Sequence, residues 1–175
     1  NLYTLIVDTS GNSVSEWSYN GRGDAITMGQ FVATDANDNV YCAATIDRLY
    51  YQGLDVAIVK YDPNGNQLWE KYYSSPGWNN DTLTGMLFDP SGDLILSIST
   101  DSALLKNNFQ LSLLRIDTDG NFMDTSYYHL PGNSLARSMA IRPDGSVALV
   151  ASSSLGAIVA LFNNSLNHVW TAKID

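Results

Sequence analysis

The chain has little charge and a single cysteine. Of its 175 residues 15% are charged, against about 25% in an average soluble domain. The one cysteine, Cys42, lies among apolar neighbours, so an intrachain disulfide is impossible and a buried, unreactive thiol is expected. The charges that are present give a net charge of −9. This excess of acids opposes binding to nucleic acid or to an anionic lipid surface.

Long apolar runs and an obvious leader are also missing. No stretch approaches the ~20 apolar residues that cross a bilayer, so membrane insertion is not expected. The chain begins at Asn1 without a basic and apolar leader, and we expect either a processed mature protein or a segment of a longer one. Ser, Thr, Asn, Gly and Tyr carry the polar surface. This composition predicts an extracellular or cell-surface location.

What the chain does contain is a long repeat. Turn residues recur in two columns, one formed by Gly11, Gly65 and Gly120 and the other by Asn39, Gly92 and Gly145. Successive members of a column are 53 to 55 residues apart. A period of this length is typical of repeat architectures.

Apolar segments around these turns predict seven β-hairpins, the first from Leu2 to Tyr19. Val56–Val59 and Leu94–Leu96 are apolar at successive residues, which indicates sheets covered on both faces. Covered antiparallel sheets that repeat at about 50 residues are what propeller blades require. We therefore predict an all-β fold in which residues 1–175 form one β-propeller segment. Connections such as Ser74 to Asp81 and Leu130 to Ser134 are predicted loops.

The hairpin turns resemble calcium loops at first sight. Asp117, Asp119 and Asn121 place side-chain oxygens at alternate positions, and this turn is the best metal candidate of the chain. A calcium ion needs about six to eight oxygens, and each turn offers about three. The same residue types fit a type I turn closed by a left-handed glycine. We therefore expect structural turns, no metal and no cofactor.

Residues Asp55–Trp69, with the sequence DVAIVKYDPNGNQLW, resemble the SBBP-type β-propeller repeats of bacteria and archaea. Asp81–Thr100 is similar to the companion half of that repeat, and Arg142–Val147 resembles NHL-type blades. The resemblance covers essentially the whole chain, although Asp124 stands where the third copy would repeat Trp69. It implies a secreted or cell-surface protein, and it transfers no catalytic residues.

The NHL-type resemblance also implies how the hairpins combine. In such units the hairpins beginning at Leu83 and Arg137 are the inner halves of antiparallel four-stranded blades. The chain would then hold about three and a half blades, with Leu2 to Tyr19 as a spare outer hairpin. We expect its inner partner to come from further blades of a longer chain or from another subunit. Trp69 and Trp170 share a repeat column and are predicted to pack between adjacent blades.

Residues suited to catalysis are scattered. His129 and His168 lie at predicted strand ends, where exposure is expected, and neither has a Ser, Cys or second His at motif spacing. Asp24, Asp55 and Asp81 precede predicted strands, and acids converging on the axial mouth of a propeller could serve a hydrolase or lyase. We expect no enzymatic activity and keep the hydrolase or lyase as an alternative.

Aromatic residues are the best candidates for ligand binding. Tyr73 and Tyr128 recur in one column, and Trp78 lies in a neighbouring loop. Such rings stack on sugars or anchor protein partners, and packing of the outer strands is the competing interpretation. We predict a non-catalytic, secreted or surface-displayed module that binds a glycan or protein or takes part in assembly. A structural subunit of an extracellular fibre or shell is a further alternative.

Overall fold

The computed structural model describes residues 2–19, 27–47, 53–76, 79–102 and 109–174, and in these ranges the chain forms fourteen β-strands and no helix. The strands are β1 (Leu2–Val7), β2 (Ser13–Tyr19), β3 (Thr27–Thr34), β4 (Val40–Asp47), β5 (Leu54–Tyr61), β6 (Gln67–Tyr73), β7 (Asn79–Phe88), β8 (Leu94–Ser102), β9 (Phe109–Ile116), β10 (Phe122–Tyr128), β11 (Leu135–Ile141), β12 (Val147–Ser153), β13 (Gly156–Phe162) and β14 (His168–Ile174). The predicted all-β fold and its seven hairpins are confirmed.

The strands pair antiparallel with their neighbours in sequence and form four sheets. Sheet 1 contains only β1 and β2, whereas sheets 2, 3 and 4 contain β3–β6, β7–β10 and β11–β14 in chain order. We call the first two strands of a complete sheet its leading hairpin and the last two its trailing hairpin. By its place in the repeat, β1–β2 is a trailing hairpin. The predicted combination of one unaccompanied hairpin with three four-stranded units is confirmed at the level of strand pairing.

One kind of turn closes every hairpin. In the turn Asp62–Asn66, the Gly65 amide donates to the Asp62 carbonyl at 3.0 Å and the Asp62 amide donates to the Asn66 carbonyl at 2.9 Å. Gly65 has a φ of 84°, as a type I turn followed by a left-handed residue requires. The same two bonds close the turns that begin at Asp8, Asp35, Asp89, Asp117, Arg142 and Asn163. The predicted structural turns are confirmed.

Two turns carry a residue other than glycine at the left-handed position. Asp38, with a φ of 61°, occupies the left-handed position that Asn39 was predicted to hold. In the last turn Leu166 takes that position with a φ of 57°. This conformation is unfavourable for a residue with a side chain, but Leu166 is fully buried in the apolar layer between sheets 3 and 4. Burial of its side chain offsets the strain.

The sheets stack in chain order and enclose three apolar layers. Representative residues are Leu2 and Cys42 between sheets 1 and 2, Tyr41 and Leu96 between sheets 2 and 3, and Ile95 and Leu149 between sheets 3 and 4. Alternate residues of β4 and β8 therefore belong to different layers. The continuous apolar runs of the sequence reflect this burial on both faces.

Candidate functional site

The aromatic residues predicted to bind a ligand mostly contact the protein itself. Tyr73 is 8% exposed, and its hydroxyl donates to Ser112 Oγ at 3.3 Å. Burial raises the pKa of Tyr73. The half-buried ring of Tyr128 stacks on His168 with centroids 4.1 Å apart, so His168 is less exposed than predicted. Trp78 lies outside the described residues. These contacts favour packing for Tyr73 and Tyr128, and their binding role stays a prediction.

The Asp117–Asn121 turn uses its carboxylate for internal hydrogen bonds. Asp117 Oδ1 accepts from the amides of Asp119 at 2.9 Å and Asn121 at 2.8 Å, and Oδ2 accepts from Asn121 Nδ2 at 2.8 Å. The bonds from Asn121 are the main reason that the pKa of Asp117 is lowered. Within the described ranges, no three His, Cys, Asp or Glu side chains are grouped to hold a metal. The geometry is that of a turn in which the carboxylate organises the backbone.

The acids considered for a hydrolase lie inside strands. Asp55 belongs to β5 and Asp81 to β7, and both are buried. Asp81 accepts hydrogen bonds from the Ser75 amide at 2.7 Å and from Thr100 Oγ1 at 2.6 Å. The expectation that these two residues precede strands is wrong, because β5 begins at Leu54 and β7 begins at Asn79 within the predicted loop. Their convergence on an axial mouth stays a prediction. Asp24 lies outside the described residues.

A buried cation links sheet 2 to sheet 3, and another links sheet 3 to sheet 4. Lys60 Nζ lies 3.7 Å from Asp35 Oδ2 in its own sheet and donates to the Thr118 carbonyl of the next sheet at 2.9 Å. Arg115 pairs in the same way with Asp89 and donates to the Asn164 carbonyl at 2.5 Å. Each cation therefore joins a leading turn to the trailing turn of the following sheet.

A hydroxyl group makes a second recurrent link between sheets. The Leu83 amide donates to Thr45 Oγ1 at 3.2 Å, and the Ala136 amide donates to Ser99 Oγ at 3.1 Å. The two donors are one repeat period apart, and so are the two acceptors. Both bonds therefore occupy the same place in successive interfaces. They connect the leading strand of one sheet to the second strand of the sheet before it.

The last sheet exposes an apolar face. A shallow cavity of about 220 Å³ on this face is lined by Ser138, Ala140, Val150 and Val159 among others. Trp170, on the same sheet, is 44% exposed. The prediction that Trp170 packs between sheets stays a prediction, because the described strands cover sheet 4 only on its opposite face. Trp69 in the same column does pack there: it joins the layer between sheets 2 and 3, and its Nε1 donates to the Thr118 carbonyl at 3.1 Å.

The other uncovered region is a cleft between β1 and β3, with a volume of about 330 Å³. Its lining includes Leu2, Gly29, Val32 and Cys42. Thr4 Oγ1 lies 3.2 Å from Cys42 Sγ, and burial raises the pKa of this thiol. The sequence reasoning missed the cleft. Its signal was the apolar column that contains Val32, whose equivalents in sheets 3 and 4 are Met86 and Met139.

Comparisons with known proteins assign no family. No family model matches the chain, and no curated protein matches it. A solved structure described as the crystal structure of the eukaryotic initiation factor matches 97% of this chain and 48% of its own chain, with 11% identity and a TM-score of 0.39. The chain thus spans about half of that structure, and so distant a likeness defines no function. In the described ranges, no helix is long and apolar enough to span a membrane.

Proposed function

We propose that the chain is a β-propeller segment related to SBBP-type repeats and that it acts outside the cell or at its surface as a non-catalytic binding or assembly module. The observation that carries this proposal is the pair of apolar surfaces at the two ends of the stack. At Tyr3, Leu5, Val7 and Val150 these surfaces carry residues whose repeat equivalents are buried wherever another sheet is present.

The construction of the sheet interfaces supports a propeller. Sheets 2, 3 and 4 follow one another with the same hydroxyl link and the same cation link, so each sheet is placed on the preceding one in a similar way. A radial array of four-stranded blades needs such a repeated interface. The low charge and the hydroxyl-rich surface support an extracellular location.

The two end surfaces are both apolar, and each lies at the repeat position of one side of an inner interface. At the first end Tyr3, Leu5 and Val7 are about half exposed. At the last end Val150 and Trp170 are exposed on the face that an added sheet would cover. An exposed apolar patch of this kind marks an interaction surface. A head-to-tail contact between the two ends would close a ring if the rotation allows it.

The structural subunit of a fibre or shell is supported by the same pair of apolar ends, because head-to-tail contacts that do not close give open assemblies. A glycan or protein ligand remains a further possibility for the module. The burial and internal hydrogen bonding of Asp81 give the hydrolase or lyase alternative no support.

Sedimentation of the chain over a range of concentrations tests this proposal. We expect the wild type to associate, and Val150→Lys to associate less because it places an ammonium on the exposed face of sheet 4. Leu87→Lys is the matched control, since Leu87 in the middle sheet is 38% exposed and Val150 is 37% exposed. A wild type that stays monomeric at every concentration and binds no added sheet segment would contradict the proposal.

A further inference from the structure

We propose that the cleft between β1 and β3 accepts a β-hairpin from a partner polypeptide, which pairs with the free edge of β1. This inference rests on the proposed assembly function and names the partner at one of its surfaces. The argument uses the edge of β1, the floor of the cleft and one backbone donor.

The edge of β1 is open where its equivalents are closed. β5, β9 and β13 are each paired on both sides, for example β5 with β4 and β6. β1 pairs only with β2 among the described strands. An unpaired strand edge presents a row of backbone donors and acceptors to an added strand. A hairpin on this edge would complete sheet 1 as a four-stranded sheet.

The floor of the cleft is apolar and uncovered. β7 and β11 contact the leading hairpin as well as the trailing hairpin of the sheet before them, whereas the main contact of β3 with the described part of sheet 1 is β1. Val32 in β3 is 67% exposed, and Met86 at the same repeat position in β7 is 4% exposed. The difference follows from the strands that cover Met86. A leading hairpin on β1 would cover Val32 in the same way.

The recurrent hydroxyl link indicates one residue of the occupant. The amides of Leu83 and Ala136 donate to Thr45 and Ser99, which lie on the second strand of a leading hairpin. Gly29 holds the equivalent position in β3, beside Leu2. The strand that pairs with β1 is therefore expected to carry Ser or Thr opposite Leu2, where its hydroxyl accepts from the Gly29 amide.

The occupant has to come from polypeptide other than these 175 residues. Every described leading hairpin is already paired within its own sheet. The longest interval between described ranges, residues 20–26, is far shorter than the leading hairpin Leu135–Ser153. A second copy would have to open one of its own sheets to supply a hairpin. A separate hairpin of the leading type fits without that cost.

A peptide of residues 135–153 serves as the probe, because it is a complete leading hairpin of the same repeat. We expect the fluorescently labelled peptide to bind the full chain saturably by anisotropy. Val32→Lys should weaken binding about tenfold, because the added strands would bury an unpaired ammonium. Leu87→Lys is the control and should leave binding unchanged. A Ser152→Ala peptide should bind about fivefold more weakly, as the loss of one hydrogen bond predicts.

A second arm joins residues 135–153 ahead of Asn1 through a flexible Gly/Ser linker. We expect the fusion to raise the urea midpoint of unfolding, and Val32→Lys to remove that gain. Absence of both peptide binding and stabilisation by the fusion would overturn the inference, as would binding that Val32→Lys leaves unchanged. Self-association that Val32→Lys weakens, without peptide binding, would identify a second copy as the occupant and also overturn it. Association that only Val150→Lys weakens would refute this inference while the proposed function stands.

Discussion

Sheets 3 and 4 are built from the same repeat but differ in what covers them. Sheet 3 has a neighbour on each face, whereas sheet 4 has a described neighbour on one face only. Ser97 of sheet 3 is completely buried, and Val150 at the same position of sheet 4 is 37% exposed. A polar residue is thus inside and its apolar equivalent is outside. Burial in this protein is decided by the neighbouring sheet.

The largest loss of stability is expected from truncating a side chain on the face of sheet 3 that sheet 4 covers. Leu113 is buried between sheets 3 and 4, and Leu113→Ala should lower the free energy of unfolding by about 3 kcal/mol, as cavity-forming substitutions do. Val159→Ala, at the equivalent position of sheet 4, should cost less than about 1 kcal/mol. Urea titration measures both. Equal losses would show that the face of sheet 4 is covered in solution.

The tryptophan column gives the next largest difference. Trp69→Ala should cost about 2 to 3 kcal/mol, because it removes a half-buried ring that packs on Tyr41 and its bond to Thr118. Trp170→Ala should cost less than about 1 kcal/mol, since this ring is largely uncovered. Denaturant unfolding of the two variants checks the contrast. A loss below about 1 kcal/mol for Trp69→Ala would show that Trp69, like Trp170, lies at the surface.

The third prediction compares the loss of a cation that links two sheets with the loss of an exposed cation on sheet 4. Arg115→Met should cost about 2 kcal/mol, because it leaves the buried carboxylate of Asp89 without its ion pair. Arg137→Met is the control: Arg137 is exposed on sheet 4 and bonds Ser152, and its loss should cost less than about 0.5 kcal/mol. Thermal and urea unfolding provide the measurement. Similar costs for the two variants would mean that the link between sheets 3 and 4 contributes little.

The smallest contrast concerns two turns of the same conformation. Gly92→Ala should cost about 1 kcal/mol from left-handed strain alone, because a Cβ at Gly92 meets nothing within 4 Å. Gly120→Ala should cost more, since its Cβ would lie 3.0 Å from the Trp69 ring of the preceding sheet. The free energy of unfolding of both variants is measured by denaturant titration, once with added calcium and once with a chelator. Calcium-dependent stability, with both substitutions silent, would contradict the structural role of the turns.

Much of the fold was predictable from the sequence because it depends on local physics. Asp62, Asn64 and Gly65 specify their turn through backbone conformation and short hydrogen bonds, and the period follows from recurrence of such turns. The prediction was less accurate where distant contacts act. β7 extends back to Asn79, where Asp81 bonds Ser75 and Thr100. No turn residue or apolar run near Asn79 in the sequence indicates that β7 begins there.

The candidate binding surfaces were predicted poorly for the same reason. Tyr73 and Tyr128 have the residue types of a ligand site, but rings of this type also fill apolar layers, and Tyr73 does so. Val32 and Gly29 have no chemical signal of their own. They line a cleft because β1 is paired with β2 alone among the described strands.

The sequence by itself determined the hairpins, their turns and the repeat, since short apolar runs and turn chemistry operate over a few residues. Only the tertiary structure decided which members of a repeat column are buried, because that depends on the sheet stacked against them. Trp69 and Trp170 are the same residue in the same column, yet Trp69 lies between two sheets and Trp170 lies on an open face. The two ends of the stack, where function is proposed, are therefore visible only in three dimensions.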